Sequence, residues 1–274
     1  MIRTTALQLP GESASMDAQR LLMHITGQTR AWWLSHPDAS LTADQTGQLE
    51  DAIQQLQAGK PLPYVLGEWE FFGLDFYLTP DVLIPRPETE LLVETALAYV
   101  HSHPKSRYAF LDIGTGSGII PVSLGVHAPY ARISATDISP AALEIAHRNV
   151  ERHGLSGRVE LFLADLIPVD FPLSGFDIIS ANLPYIPTET LQTLEIFGKE
   201  PSLALDGGQD GLDVIRRLVA RLADEKISDC LCLLEIEHRQ GPAIRGLIGQ
   251  FFPNANIRIQ RDLAGFDRLA VFNT

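Results

Sequence analysis

Hydrophobic residues recur at helical spacing near the start of the chain. Met16, Leu21, Leu22 and Ile25 fall at helical spacing in a segment over 15–27, which stops at Gly27. Side chains three or four residues apart lie above one another on a helix. The pattern therefore predicts an amphipathic helix over 15–27.

A second apolar stripe predicts another helix. Leu49, Ile53 and Leu56 share one face of the segment 42–58. Two prolines follow within five residues, and we expect them to end the helix. We therefore predict a small helical domain over residues 1–63.

Residues 64–85 have a different pattern. Short aromatic stretches, such as the one that contains Phe71 and Phe72, are interrupted by Gly67, Gly73 and Pro80. Short β-type runs bounded by glycine and proline are typical of a hairpin. The segment is predicted to form a hairpin linker between two domains.

From residue 86 to 274, apolar strand-like runs alternate with amphipathic segments. Such alternation indicates an α/β domain with a largely parallel sheet that helices cover on both faces. The last two strands leave no room for a helix between them, so they should pair antiparallel. Strands are predicted at 108–113, 131–136, 159–163, 176–181, 230–236, 256–260 and 268–272. Helices are predicted near 88–101, 117–127, 140–153, 210–225 and 240–250.

Composition narrows the class of protein. The chain has 274 residues, of which 45% are hydrophobic, and its formal net charge is −13. It has no long apolar run for a membrane span and no apolar leader, so we expect a cytoplasmic protein without membrane contact. The acidic balance argues against direct nucleic-acid binding. Cys230 and Cys232 lie in an apolar strand, and we interpret them as core residues.

A glycine-rich loop follows the first predicted strand of the α/β domain. Its glycines have the spacing G-x-G-x-G after Asp112, whereas a dinucleotide loop would need glycine at the position of Ile119. A carboxylate at that strand end disfavours a pyrophosphate and favours a cation. S-adenosylmethionine carries a cationic sulfonium and an amino group, and we predict it as the cofactor. The loop residues assigned to it are Asp112, Gly114, Thr115, Gly116, Ser117 and Gly118.

The next two strands also end in acidic residues. Asp137 ends the second strand, where an acid is expected to accept hydrogen bonds from both ribose hydroxyls. Asp165 and Leu166 end the third strand and are predicted to flank the adenine, and Ile138 is assigned to the same site. Three acids at consecutive strand ends meet at one edge of a parallel sheet, which predicts a ligand site there.

The fourth strand ends in Asn182-Leu183-Pro184-Tyr185, and we assign these four residues to catalysis and substrate binding, and Asn182 also to the cofactor site. An amide nitrogen is a poor nucleophile, so catalysis should depend on positioning it and on holding both of its N–H bonds. The Asn182 side-chain oxygen and the Leu183 carbonyl are predicted to accept one N–H each. Tyr185 is predicted to stack on the amide plane.

The chain resembles the release factor glutamine methyltransferases over nearly its whole length. The motifs that carry the resemblance are DAQRLLMHITG (17–27), LIPRPETE (83–90), LDIGTGSG (111–118), NLPYIP (182–187), EPSLALDGGQDGLDVIRRL (200–218) and DLAGFDRLAVF (262–272). The resemblance implies a Rossmann-like, seven-stranded class I methyltransferase domain and an N-terminal helical bundle that docks the partner. It also implies that the substrate is the glutamine of the Gly-Gly-Gln motif in class-1 peptide chain release factors.

Two further expectations come with this resemblance. The family block that begins at Glu200 implies that this residue lies at the edge of the substrate site. The family usually has N-P-P-Y, whereas this chain has Leu183 at the second place. The predicted role there belongs to a backbone carbonyl, which leucine also supplies, and the following proline favours extended geometry.

Other functions and motifs are less favoured by the sequence. The main alternative is a nucleic-acid adenine N6-methyltransferase, which must also flip a base and hold phosphates. A non-catalytic module is disfavoured by Asn182 and Tyr185, and a dehydrogenase by Ile119. We expect a monomer without a metal site. The Gly-Gly-Gln at 207–209, the histidines at 101 and 103, and Glu235 are interpreted as structural. The acids at 88 and 90 either begin a helix or, as the resemblance implies for their block, line the cofactor or substrate cleft.

Overall fold

The structure is a computed structural model that describes residues 1, 5–9 and 13–274. Its described residues divide into two compact units, Met1–Glu68 and Trp69–Thr274. The predicted domain boundaries at residues 63 and 85 remain predictions. No helix in the described ranges has the length and apolar character that crossing a bilayer requires.

The first unit is helical. Both predicted helices are present, as α1 (Ala14–Thr26) and α3 (Ala43–Gln57), and they pack against each other. Gly27 ends α1 in the left-handed conformation with φ of 67°. Thr42 begins α3 with a capping box, in which its hydroxyl accepts from the backbone N–H of Gln45 and the Gln45 side chain accepts in return.

Two short helices in this unit were not predicted. The first is α2 (Arg30–Ser35), which buries Trp33. The second is α4 (Leu62–Leu66), which begins after Pro61. The prolines were expected only to end a helix, but proline also suits the first turn of one because no hydrogen bond is lost there.

The predicted hairpin consists of β1 (Glu68–Phe71) and β2 (Leu74–Tyr77). Its turn residues, Phe72 and Gly73, have φ of 53° and 71°. Two consecutive positive φ values suit the right-handed twist of a tight hairpin.

The second unit contains the predicted α/β fold. Its strands are β3 (Tyr108–Ile113), β4 (Ala131–Asp137), β5 (Val159–Leu163), β6 (Ile178–Ala181), β7 (Leu231–Glu235), β8 (Asn256–Arg261) and β9 (Asp267–Asn273). Its helices are α5 (Glu90–Ser102), α6 (Ile119–His127), α7 (Pro140–Arg152), α8 (Thr188–Leu191), α9 (Asp213–Asp224) and α10 (Gly241–Phe251). The short α8 was not predicted.

The seven strands form one sheet in the order β5-β4-β3-β6-β7-β9-β8. Neighbours from β5 to β7 run parallel, and β9 is antiparallel to both β7 and β8. Alternating residues face two apolar cores: Phe110 packs on one side of β3, and Leu111 and Ile113 pack on the other. The predicted fold class and the antiparallel final pair are confirmed.

The sheet order places a crevice between β3 and β6. The chain runs outward from β3 through β4 to β5, then returns to the other side of β3 with β6. Ligands of open parallel sheets bind at such a reversal, outside the carboxyl ends of the strands. The glycine loop and the segment that begins at Asn182 both start at this point.

Candidate active site

The glycine loop folds back onto the end of β4. The backbone N–H groups of Gly114 and Thr115 both donate to the Thr136 carbonyl, each at 2.9 Å. Gly118 precedes α6 with φ of 81°, and a Cβ there would lie 3.3 Å from the Cα of Ala146 in α7. The loop therefore needs glycine for both its conformation and its close packing.

An amide side chain ties this loop to the hairpin. Asn149 of α7 is fully buried, and its Nδ2 donates to the carbonyls of Ser117 at 2.8 Å and Tyr77 at 3.1 Å. Its Oδ1 accepts from the Tyr77 N–H at 2.7 Å. One carboxamide thus satisfies groups in two separate segments, which stabilises both.

Asp137 lies at the end of β4 against the glycine loop. Its two carboxylate oxygens accept from the backbone N–H groups of Gly116, at 2.8 Å, and Ser139, at 2.9 Å. Burial raises the pKa of Asp137, while these N–H groups act in the opposite direction. A carboxylate accepts about four hydrogen bonds, so two lone pairs remain for a ligand.

Asp112 is the last residue but one of β3 and lies within the strand predicted over 108–113. It is fully buried, and its Oδ1 accepts from the Ser180 hydroxyl at 2.8 Å. Burial raises the pKa of Asp112 to about 6, while the hydrogen bond from Ser180 lowers it. A cation bound above the loop would lower this pKa, so Asp112 can favour a cation without touching it.

A cavity of about 770 Å³ opens above these strand ends. This volume is within the range of sites that enclose a whole small-molecule ligand. The predicted site residues that line it are Gly114, Thr115, Gly116, Ser117, Asp137, Ile138, Asp165, Leu166, Asn182, Leu183 and Pro184. The predicted residues outside its lining are Asp112, Gly118, Tyr185 and Glu200.

Asp165 is paired across the mouth of the cavity. Its carboxylate accepts from Arg217 of α9 at 2.6 Å, and both side chains are about half exposed. Leu166 has φ of 64°, and its carbonyl accepts from the Thr136 hydroxyl at 2.6 Å. The sequence offered no sign of Arg217, because its contact with Asp165 depends on how α9 crosses the sheet edge.

Asn182 lies at the cavity wall with its amide group held on one side. Its Nδ2 donates to the Thr89 hydroxyl at 3.1 Å. Its Oδ1 and the Leu183 carbonyl have no hydrogen-bond donor among the residues that the structure describes. Two acceptors in the same cavity as Asp137 are therefore available to a ligand.

The leucine in the second place of this motif packs on the glycine loop. Leu183 is 4% exposed, and a Cβ on Gly114 would lie 2.8 Å from its Cδ2. The side chain thus fills the space above the loop glycine. This contact explains how leucine fits at the position.

Replacing Leu183 by proline should change the catalytic rate modestly, by less than roughly a hundredfold, or about 2.7 kcal/mol. The predicted function of this position belongs to its carbonyl, which proline retains. Steady-state rates of the Leu183→Pro variant would test this. A change in either direction beyond a hundredfold would show that the side chain matters in itself.

Tyr185 turns away from the cavity. Its hydroxyl donates to the Glu235 carboxylate at 3.3 Å, and burial raises the pKa of Tyr185. The backbone N–H of Ile186 donates to Leu205 at 3.0 Å, and Gly207 donates to Ile186 at 2.8 Å. The ring of Tyr185 therefore lies inside the protein and does not line the cavity. Its stacking on a substrate amide remains a prediction.

The turn that contains the Gly-Gly-Gln sequence at 207–209 and also Gly211 packs against this loop and supports it. A Cβ on Gly207 would lie 2.8 Å from the Pro184 carbonyl oxygen, and one on Gly211 would lie 2.3 Å from the Tyr185 carbonyl oxygen. Gly208 lines the cavity. The turn has a structural role, and its glycines allow the close approach of two backbones.

Replacing Gly211 by alanine should lower both the melting temperature and the catalytic rate. Its φ is 76°, and the added Cβ would displace the Tyr185 carbonyl. We expect a loss of stability of about 2 kcal/mol or more. Thermal unfolding would measure it, with Gly246→Ala as control, because that helical glycine has open space around it and alanine should stabilise the helix. Equal melting temperatures for wild type and Gly211→Ala would contradict the prediction.

Glu200 joins two distant segments of the chain. Its side chain is 2% exposed and accepts from Arg86 at 2.6 Å and from the Ile84 N–H at 3.1 Å. Arg86 lines the cavity, although Glu200 does not. Glu200 therefore reaches the site through Arg86, a residue of the LIPRPETE motif at 83–90.

Among the described residues, no three or more acidic, histidine or cysteine side chains are grouped so that they could hold a metal ion. His103, one of the two clustered histidines, stacks on Tyr99 and shares a hydrogen bond with its carbonyl. Both cysteines are buried and unpaired in the core, as expected.

The sequence of this chain is similar to known protein families and to named relatives. Residues 4–67 match the PrmC N-terminal domain family, and residues 110–196 match a methyltransferase domain family. The release factor glutamine methyltransferase of Moorella thermoacetica is 41% identical over 260 residues, which cover 94% of this chain and 90% of that protein. The protein of the same name from Koribacter versatilis is 35% identical over 263 residues, covering 94% and 91%.

A solved structure supports the same architecture. The N-terminal domain of human METTL16, in complex with SAH, aligns with a TM-score of 0.51 and 18% identity. The alignment covers 86% of this chain and 84% of that one. At this level of identity the similarity concerns the fold alone.

Proposed function

This chain belongs to the release factor glutamine methyltransferases, and we propose that it methylates the N5 amide nitrogen of the Gly-Gly-Gln glutamine in class-1 peptide chain release factors. It is an S-adenosylmethionine-dependent transferase. The observation that carries the proposal is the presence of two free acceptors, the Asn182 side-chain oxygen and the Leu183 carbonyl, in the same cavity as the Asp137 carboxylate.

The residues at the strand ends suit S-adenosylmethionine. We propose that Asp137 accepts from the ribose hydroxyls with the lone pairs that its two backbone contacts leave free. Asp165 and Leu166 would flank the adenine, and the buried Asp112 would favour a cation above the loop. When bound, the cofactor supplies an electrophilic methyl group.

The loop at 182–185 is proposed to bind the substrate amide, which is a poor nucleophile. The lone pair of an amide nitrogen is delocalised, and no side chain that is a base at neutral pH removes a proton from this nitrogen easily. Catalysis must therefore come from the geometry in which the amide is bound. Asn182 and the Leu183 carbonyl would each accept one N–H of the substrate. Two such acceptors fix the amide plane and stabilise the positive charge that develops on nitrogen during transfer.

The adenine N6-methyltransferase alternative is not favoured. The relatives that align over most of this chain are named for release factor glutamine. We propose that the enzyme acts as a cytoplasmic monomer without direct nucleic-acid contact, and that its N-terminal helical unit docks the release factor.

The proposed function is tested by co-expression with a class-1 release factor. Mass spectrometry of that factor should show a gain of one methyl group on the Gly-Gly-Gln glutamine. A factor whose glutamine is replaced by alanine is the matched control and should gain nothing. An unmodified wild-type glutamine, or label transferred to DNA in place of the factor, would refute the proposal.

A further inference from the structure

Glu235 is a buried acid that has no role in the proposed binding of cofactor and substrate. It ends β7, is 3% exposed, and lies beneath the loop that begins at Asn182. The positive charge of Arg268 acts on it, but the guanidinium is bonded at 2.9 Å to Asp262 instead. Burying a carboxylate without an ion pair is costly, so an aliphatic residue would hold the strand better.

Two hydroxyl groups converge on this carboxyl. Tyr185 donates to its Oε1 at 3.3 Å, and the Thr89 hydroxyl stabilises its ionised form. The other oxygen, Oε2, is buried and finds no hydrogen-bond donor within the described residues. The carboxylate thus bonds Tyr185 of the catalytic loop directly, and Thr89, which favours its ionised form, accepts a hydrogen bond from Asn182 of the same loop.

The hydrogen-bond directions run from the cavity towards Glu235. Asn182 donates its Nδ2 to the Thr89 oxygen at 3.1 Å. Thr89 is fully buried and has one hydroxyl hydrogen of its own, which is then free for the carboxylate. With Nδ2 held in this way, the Asn182 Oδ1 is the end of the amide that remains for the substrate.

We propose that the Glu235 carboxylate is a positioning residue for methyl transfer, which orients Asn182 through the Thr89 hydroxyl and holds Tyr185 through its phenol. The inference rests on the proposed function and deepens it. Glu235 never meets the substrate. It keeps the amide of Asn182 from turning its donor end into the cavity.

The proposal predicts a pH dependence. Burial raises the pKa of Glu235 to about 7; Glu88 raises it further, whereas Thr89, Tyr185 and Arg268 lower it. The ionised carboxylate can only accept hydrogen bonds, so both hydroxyl groups can donate to it. The protonated form carries a hydrogen of its own, so one of the two bonds must reverse or break. The rate at saturating cofactor should therefore rise with pH, with a midpoint near 7.

Stability should have the opposite dependence on pH. The pKa of Glu235 is about 7 in the folded protein, above its ordinary value of 4.5, so ionisation opposes folding. This contribution to stability is fully present below the ordinary value and is lost as the pH rises through 7. The glutamine side chain of Glu235→Gln does not ionise, so the variant does not lose this stability as the pH rises. The variant should melt no lower than wild type at pH 8, although its rate falls.

The experiment compares Glu235→Gln with Glu160→Gln, an exposed acid on β5, on a release factor substrate. Glu235→Gln should lower kcat at pH 8 tenfold or more, leave KM within about twofold, and lose the rise near pH 7. Glu160→Gln should behave as wild type. Glu88→Gln should keep the rise but move it to lower pH, because it removes a negative charge that faces Glu235. Thr89→Val combined with Glu235→Gln should be no slower than either alone.

A spectroscopic measurement separates this inference from the proposed function. The side-chain amide signals of Asn182, assigned by their loss in Asn182→Ala, should shift with a midpoint near pH 7 in wild type and stay constant in Glu235→Gln. Constant signals in both proteins, or an unchanged kcat in Glu235→Gln, would overturn the inference. A wild type that methylates no release factor but shows the pH shift would overturn only the proposed function.

Discussion

Replacing Asn182 by alanine should slow methyl transfer by two orders of magnitude or more, which corresponds to about 2.7 kcal/mol. The side-chain oxygen is one of two free acceptors for the substrate N–H groups, and alanine removes it without filling its place. Cofactor affinity should change little, because Asp137 and the glycine loop keep their contacts.

Single-turnover rates with a saturating release factor would measure this effect, with cofactor affinity determined by calorimetry on the same samples. Asn254→Ala is a matched control, since that asparagine is exposed in the turn before β8. Activity in Asn182→Ala close to that of the control would mean that the amide is held by other groups.

Replacing Asp137 by alanine should weaken cofactor binding by roughly a hundredfold, since hydrogen bonds to a charged group contribute about 1.5–3 kcal/mol each. The change removes the acceptor proposed for the ribose. It also releases the N–H groups of Gly116 and Ser139, which the carboxylate now holds in place. The glycine loop should therefore lose order as well as a ligand contact.

Calorimetric titration with S-adenosylmethionine would give the dissociation constant of Asp137→Ala directly. The Asp224→Ala variant serves as control, because that aspartate is exposed at the end of α9, outside the cavity lining. An affinity within threefold of the control would remove Asp137 from the cofactor site.

Elements with a strong internal period could be predicted from the sequence. The seven strands and the longer helices between them were predicted because apolar runs of the right length alternate with amphipathic ones. The edge of the sheet that carries the ligand site follows from parallel strand direction alone. Short helices such as α2 and α8 have fewer than two turns, so no period can develop within them.

The support of the site could not be predicted in the same way. Thr89, Arg86 and Arg217 act on residues that lie far from them in sequence. Such contacts depend on how helices cross the sheet edge, and spacing along the chain does not encode this. Glu235 was interpreted as structural for the same reason, since its two hydroxyl partners come from separate loops.

Asp112 shows that a motif can locate a loop without giving the contacts of each of its residues. The spacing of the glycines located the loop, and the aspartate before it was assigned to the cofactor site, but it is not among the residues that line the cavity. It is a residue of β3 itself, paired with Ser180 of the neighbouring strand. A strand alternates its side chains between two faces, so proximity in sequence to a ligand loop does not imply contact with the ligand.

The carboxamide of Asn149 has a consequence for the local dynamics of the enzyme. It bonds the end of β2 and the glycine loop at the same time, so neither segment can open without breaking bonds of the other. Segments joined in this way fluctuate as one cooperative unit. A ligand that reduces the fluctuations of one segment therefore reduces those of both. The hairpin and the cofactor loop therefore share a single local opening equilibrium.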